Sequence, residues 1–167
     1  SQVTPTTAEL LKFWFQQDFC EVRLHNFHQG QRAAILHIIY AHEVIGARTL
    51  RDLYEAIAGD ALLEGGTLGE VARARHAHPK YAAKMATGTG KTWVMQALMV
   101  WQLLNKTHAL AEGMDNPRFT RQFMIVAPGL IVYERLLDAF CGKLVPGGNG
   151  ARDFAKSDVV QFADLFI

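Results

Sequence analysis

The run Met85-Ala-Thr-Gly-Thr-Gly-Lys-Thr92 constrains this chain more than any other stretch. Gly88 and Gly90 stand just before Lys91 and Thr92, between a short strand-like segment (residues 81–85) and a helix-patterned one (residues 90–105). Glycines let a backbone turn its N–H groups inward, and the start of a helix adds a dipole that favours an anion. A lysine at that point neutralises phosphate charge, and a threonine hydroxyl beside it can ligate Mg²⁺. Strand, glycine turn and helix with these residues make a phosphate loop, in which each residue type answers to one part of a nucleoside triphosphate. Thr87, Gly88, Thr89, Gly90, Lys91 and Thr92 are therefore the candidate nucleotide contacts, with Lys91 and Thr92 expected nearest the chemistry and Thr92 as the Mg²⁺ ligand. Met85 departs from the eight-residue pattern, which usually opens on Gly or Ala.

Composition narrows the rest. The chain has 167 residues, 17 Lys+Arg against 16 Asp+Glu, and half its residues hydrophobic, which excludes disordered and collagen-like architectures. A chain of this length can bury a sizeable core without a disulfide framework or structural metal. Cys20 and Cys141 lie far apart with no second ligand at metal spacing, which suggests idle thiols in a reducing compartment, the cytoplasm. The first residues lack the basic start and apolar core of a secretory signal, and no run of 18 or more apolar residues occurs, so no membrane partner is expected. Between Val71 and Ala111 there is no acidic residue, while Arg73, Arg75, Lys80, Lys84, Lys91 and Lys106 fall in that window, a local excess suited to phosphate.

Periodicity sets the expected elements. A first helix spans residues 7–17, capped by Thr7, and its apolar residues, Phe13, Trp14 and Phe15 among them, spread too far round for one stripe. The aromatic group reads as packing rather than a base platform. A second helix covers residues 29–45 and stops near Gly46. Thr49 with Asp52 and Thr67 with Glu70 each read as capping boxes opening short helices, in a helical insertion over residues 47–79. The apolar run at residues 123–127, stopped by Pro128-Gly129, suits a buried parallel strand, as does the segment 81–85. A helix follows over 130–140 and a glycine-rich turn over 145–151, while residues 157–167 suit either a strand or a helix. The expected fold is α/β: a parallel sheet with helices on both faces, preceded by a helical segment. Residues 1–80 form that segment with its insertion, and residues 81–167 form the first part of the phosphate-loop domain.

Three features in order, Phe27-His-Gln-Gly-Gln-Arg-Ala-Ala-Ile35, the phosphate loop, and Phe123-Met-Ile-Val-Ala-Pro-Gly-Leu-Ile-Val-Tyr-Glu-Arg135, make the chain resemble superfamily 2 helicases and translocases. Within them it resembles the motor (Res) subunit of type III restriction enzymes. The resemblance implies a partial RecA-like domain, ATP and Mg²⁺ as cofactors, and movement on duplex DNA. It also implies a modification methyltransferase subunit as partner. The first feature looks like the family's adenine-reading segment, in which Phe27 stacks on the base and a glutamine amide pairs with its edge. Gln31 fits best, through its Q-x-x-A-I spacing, and Gln29 is the runner-up. The third feature looks like the family's motif Ia, whose turn, Pro128 and Gly129, and whose Arg135 contact the DNA backbone.

Other readings fail on spacing. His42-Glu43 lacks a second His at the zinc-protease position, His25 with His28 lacks a third ligand, and His76-Ala-His78 precedes Pro79. No third glycine completes a dinucleotide fingerprint after Gly90, and no lid of a small-molecule kinase is legible. No Asp-Glu box follows an apolar strand in this sequence, so the chain reads as the N-terminal part of a motor, truncated before its acidic Mg²⁺-binding box and inactive alone. The alternatives are another superfamily 2 motor, such as a type I restriction motor subunit or an RNA helicase, and a phosphate-loop binding module without turnover.

Overall fold

The computed structural model describes residues 2–167. Helix α1 (Pro5–Phe15) begins two residues before the expected start, because Pro5 occupies the first helical position and Thr4, not Thr7, caps it: Thr4 Oγ1 accepts from Thr7 N at 3.1 Å. The short helix α2 (Gln17–Val22) follows. Helix α3 (Gln29–Ile39) runs into a π turn, Tyr40–Val44, where Ile45 N donates to Tyr40 O, and the chain leaves it at Gly46 with φ 68°. The expected long second helix is therefore an α-helix ending in a wide turn. That turn carries the buried Glu43.

The insertion is helical, as its pattern predicts. Helix α4 (Leu50–Ile57) opens on a complete capping box, with Thr49 and Asp52 exchanging side-chain and backbone bonds. The second expected box does not form: Thr67 lies inside α5 (Thr67–Val71), Gly66 holds the cap position at φ 81°, and Glu70 pairs with Arg73, Arg75 and His76 instead. These partners hold the Glu70 carboxyl below the usual carboxylate range, the Arg75 hydrogen bond most of all.

Helix α6 (Lys91–Ala111) is the longest element. Val94, Ala97 and Trp101 line its inner face, and it packs on α1 and α3 around Leu10, Trp14, Ile35 and Ile39. Trp14 has no exposed surface, and its Nε1 donates to Phe166 O at 3.0 Å, which ties α1 to α9 (Ala163–Phe166). The core thus draws on both sides of residue 80. Residues 157–167 are helical, as α8 (Asp158–Gln161) and α9.

The expected parallel sheet is not formed among the described residues. Residues 81–85 and 123–127 run without ladder partners, and the strands are β1 (Lys143–Leu144) and β2 (Arg152–Asp153), a single antiparallel pair. An apolar run states that a segment can be buried, whereas a strand also needs a neighbour to take its N–H and C=O groups. Met124 is 87% and Val126 77% exposed in consequence. The hairpin is held to α7 (Leu130–Cys141) through Asp138, which accepts from Lys143 Nζ at 2.8 Å and Arg152 Nη1 at 2.6 Å. The turn into it requires glycine: Gly142 has φ 89°, and a Cβ there would overlap the Asp153 carbonyl.

Candidate phosphate-binding site

The candidate phosphate loop, residues 85–92, runs between an extended segment and the first turn of α6. Gly88 and Gly90 both take positive φ, 79° and 67°, a backbone path that turns successive N–H groups toward one side. Among the described residues, none of the amides from Gly88 to Thr92 donates a hydrogen bond. The first amides of any helix lack intrahelical acceptors, and here the loop adds its own to them. The positive end of the dipole of α6 lies at the same place.

Lys91 begins α6 and folds its side chain back over the loop. Its Nζ donates to Met85 O at 2.9 Å and Ala86 O at 2.8 Å, both backbone carbonyls. Thr89 Oγ1 also donates to Ala86 O, at 2.7 Å. Such an ammonium has only neutral partners, so an arriving phosphate can take it over with a stronger, charge-assisted bond. The residues present therefore fit a nucleotide phosphate chain: amides without acceptors among the described residues, an ammonium held only by neutral carbonyls, and two glycines at positive φ.

Mg²⁺ fits less completely. Thr92 lies in the first turn of α6, but among the described residues no group of three or more His, Cys, Asp or Glu sits together as a metal site. Thr92 would supply one oxygen, the remainder coming from phosphate and water.

The glutamine of the first motif meets the loop directly. Gln31 is 2% exposed; its Oε1 accepts from His28 N at 2.9 Å and its Nε2 donates to Gly90 O at 3.2 Å. Both ends of the amide are thus engaged by backbone. Phe27 is built into an aromatic cluster, edge-to-face with Trp14, Phe15 and Phe166 at centroid distances of 6.0, 5.9 and 6.1 Å. His28, which sequence reasoning weighed only as a metal ligand, caps α3 and places its Nε2 2.9 Å from Thr89 O. The signal available for it was a polar ring three residues before a glutamine at a helix start.

Pro128, Gly129 and Arg135 sit apart from this cluster, at and beyond the start of α7, and all three are exposed. Gly129 is extended, with φ −174°, and Arg135 has no carboxylate partner among the described residues. A cleft of about 450 Å³ runs along α6 beside the loop, lined by Tyr81, Met85, Met95, Met99 and Phe123, with Lys91 its one charged lining residue. Burial raises the Tyr81 hydroxyl above its ordinary pKa. Such walls suit apolar groups, whereas a phosphate fits the row of amides.

The family model of the type III restriction enzyme res subunit matches residues 24–160, a span that contains all three motifs. The chain belongs to this family. The Res family comprises superfamily 2 helicase-like, ATP-binding motors with a RecA-like phosphate-loop fold, and it acts on DNA. No curated protein and no solved structure matches this Res-family chain significantly. No helix among the described residues is long and apolar enough to cross a membrane.

The loop of the Res-family chain yields a direct test at Gly90. Gly90→Ala forces a Cβ onto a residue at φ 67° and into overlap with Gln31 Nε2. The left-handed backbone costs about 1–2 kcal/mol for an L-residue. We expect a loss of about 1–2 kcal/mol in denaturant unfolding together with weakened nucleotide binding. An unchanged unfolding midpoint would show that the loop does not adopt this path.

Proposed function

We propose that this chain is the ATP-binding N-terminal part of an ATP-dependent DNA translocase of a type III restriction endonuclease. The observation that carries the reading is the row of unpaired amides from Gly88 to Thr92 at the head of α6, with Lys91 beside them. In this reading Thr87, Gly88, Thr89 and Gly90 wrap the phosphates, Lys91 neutralises them, and Thr92 ligates the Mg²⁺ that accompanies ATP. Residues 81–167 are the first part of the motor lobe, and residues 1–80 the helical segment that precedes it. The extended, unpaired runs at 81–85 and 123–127 are proposed as strand positions of its parallel sheet, with helices on both faces, a role that the exposed apolar side chains of Phe123 to Val126 support.

Gln31 is proposed to read the adenine edge, which requires it to exchange its bond to Gly90 or to His28 for one to the base. Phe27 is proposed to stack on the base, a role that competes with its edge-to-face packing against Trp14 and Phe166. Pro128, Gly129 and Arg135 are proposed to hold a phosphate of duplex DNA, supported by the exposed start of α7 and a guanidinium with no carboxylate partner among the described residues. A modification methyltransferase subunit as partner and a cytoplasmic location follow from the family reading.

Calorimetric titration of the chain with ATP, ADP and pyrophosphate tests the core of this reading. We expect saturable binding of all three at one site, with no turnover of ATP, because catalysis also needs a carboxylate to orient water. Absence of saturable binding by any of the three would overturn it.

A further inference from the structure

His28 is bonded at both ring nitrogens. Its Nδ1 accepts from Gly30 N at 3.1 Å and Gln31 N at 3.4 Å, which caps α3. A ring nitrogen that accepts amide protons carries none of its own, so the proton of the neutral imidazole lies on Nε2. Nε2 therefore donates to Thr89 O, 2.9 Å away. One residue further along the loop, Gln31 Nε2 donates to Gly90 O at 3.2 Å. The start of α3 thus clamps two successive carbonyls of the phosphate loop, and the pair is braced internally by His28 N donating to Gln31 Oε1.

The consequence follows from peptide geometry. The chain has no cis peptide among the described residues, and a trans peptide points its C=O and N–H in opposite directions. Fixing the Thr89 carbonyl toward α3 aims the Gly90 N–H away from it, and the Gly90 carbonyl, held by Gln31 and also by Trp93 N at 3.0 Å as the first acceptor of α6, fixes the direction of the Lys91 N–H. The Gly90 and Lys91 N–H groups are two of the amides that donate to nothing in the structure. Gly88 and Gly90 are the residue type with most backbone freedom to lose, so an unclamped loop would have to be ordered by the ligand itself.

We propose that His28 is a positioning residue of the phosphate loop: through Thr89 O, and together with Gln31 at Gly90 O, it presets the Gly90 and Lys91 amides for a phosphate before any ligand arrives. The identity of the ligand as a nucleotide rests on the function proposed above. The clamp itself is a property of the ligand-free chain.

His28→Asn separates capping from clamping. Asparagine is a good N-cap, so the amides of Gly30 and Gln31 keep an acceptor, but its side chain stops one bond short of the Nε2 position. In the ligand-free chain we expect an unchanged melting temperature and lower ¹⁵N order parameters at Gly90 and Lys91. Affinity for ADP and for pyrophosphate should fall about fivefold, the scale of one neutral hydrogen bond. Lys91→Ala serves as the control for the nucleotide site. Unchanged order parameters overturn the proposal, as does unchanged affinity in a variant whose control still loses binding. A wild-type chain that binds neither ligand overturns the nucleotide reading instead, and the order parameters then decide the clamp alone.

Discussion

Lys91→Ala will weaken ATP binding about 10- to 150-fold, the equivalent of losing one charge-assisted bond of about 1.5–3 kcal/mol. In the proposed full-length motor it should remove hydrolysis, because charge developing on the phosphoryl oxygens needs more neutralisation than the ground state does. The fold will survive. Lys91 is exposed, and its Nζ holds only the carbonyls of Met85 and Ala86, which water can serve once the ammonium is gone. An exposed residue of this kind changes stability by no more than about 0.5 kcal/mol. Titration with ATP beside a denaturant curve separates the two effects. Retained ATP affinity in a well-folded variant would remove Lys91 from the site, and with it the assignment of the loop.

What could be read from sequence divides along a physical line. The loop, its helix and the capping box at Thr49 were legible because their signals are local: each lies within a few residues of what it specifies. The start of α1 was misplaced for an equally local reason. Thr4, Thr6 and Thr7 all offer a hydroxyl, and the proline at position 5 decides among them. The parallel sheet failed because strand pairing is not local. Residues 123–127 carry the apolar pattern of a buried strand, yet no described segment presents a ladder to them. His28 escaped notice because histidine is outside the usual capping set, and its second bond, to Thr89, spans 61 positions of sequence. Gln31 was found by motif, while its burial against Gly90 required the structure. The resemblance pointed to a candidate nucleotide site, and the structure showed that His28 and Gln31 bond the loop's own backbone.

The same limit on sequence reading applies to Glu43, and its removal should cost more stability than any other single change considered for this chain. It is 5% exposed in the π turn, with no lysine or arginine paired to it among the described residues. Its Oε2 accepts from Thr4 N at 2.8 Å, and its Oε1 accepts from Trp101 Nε1 at 2.8 Å and from the Thr7 hydroxyl. Asn105 closes the network, its Nδ2 donating to Thr7 Oγ1 at 3.0 Å. One carboxyl group therefore ties the start of α1 to α6, the helix whose first residue is Lys91. Glu43→Ala leaves the Thr4 backbone N–H and the buried Thr7 hydroxyl without this acceptor, while Trp101 Nε1 keeps only its bond to Thr7 Oγ1 at 2.9 Å. Each such orphan costs about 1–3 kcal/mol, so a total of about 3–5 kcal/mol is expected in chemical denaturation. Glu43→Gln should cost less, since one oxygen can still serve Trp101 and Thr7 while the amide NH₂ faces the Thr4 N–H, donor against donor. The ordering of the two variants is the informative result. If alanine is tolerated as well as glutamine, water replaces the carboxyl group freely, and the join between α1 and α6 rests on Trp14, Leu10 and Trp101 packing rather than on this network.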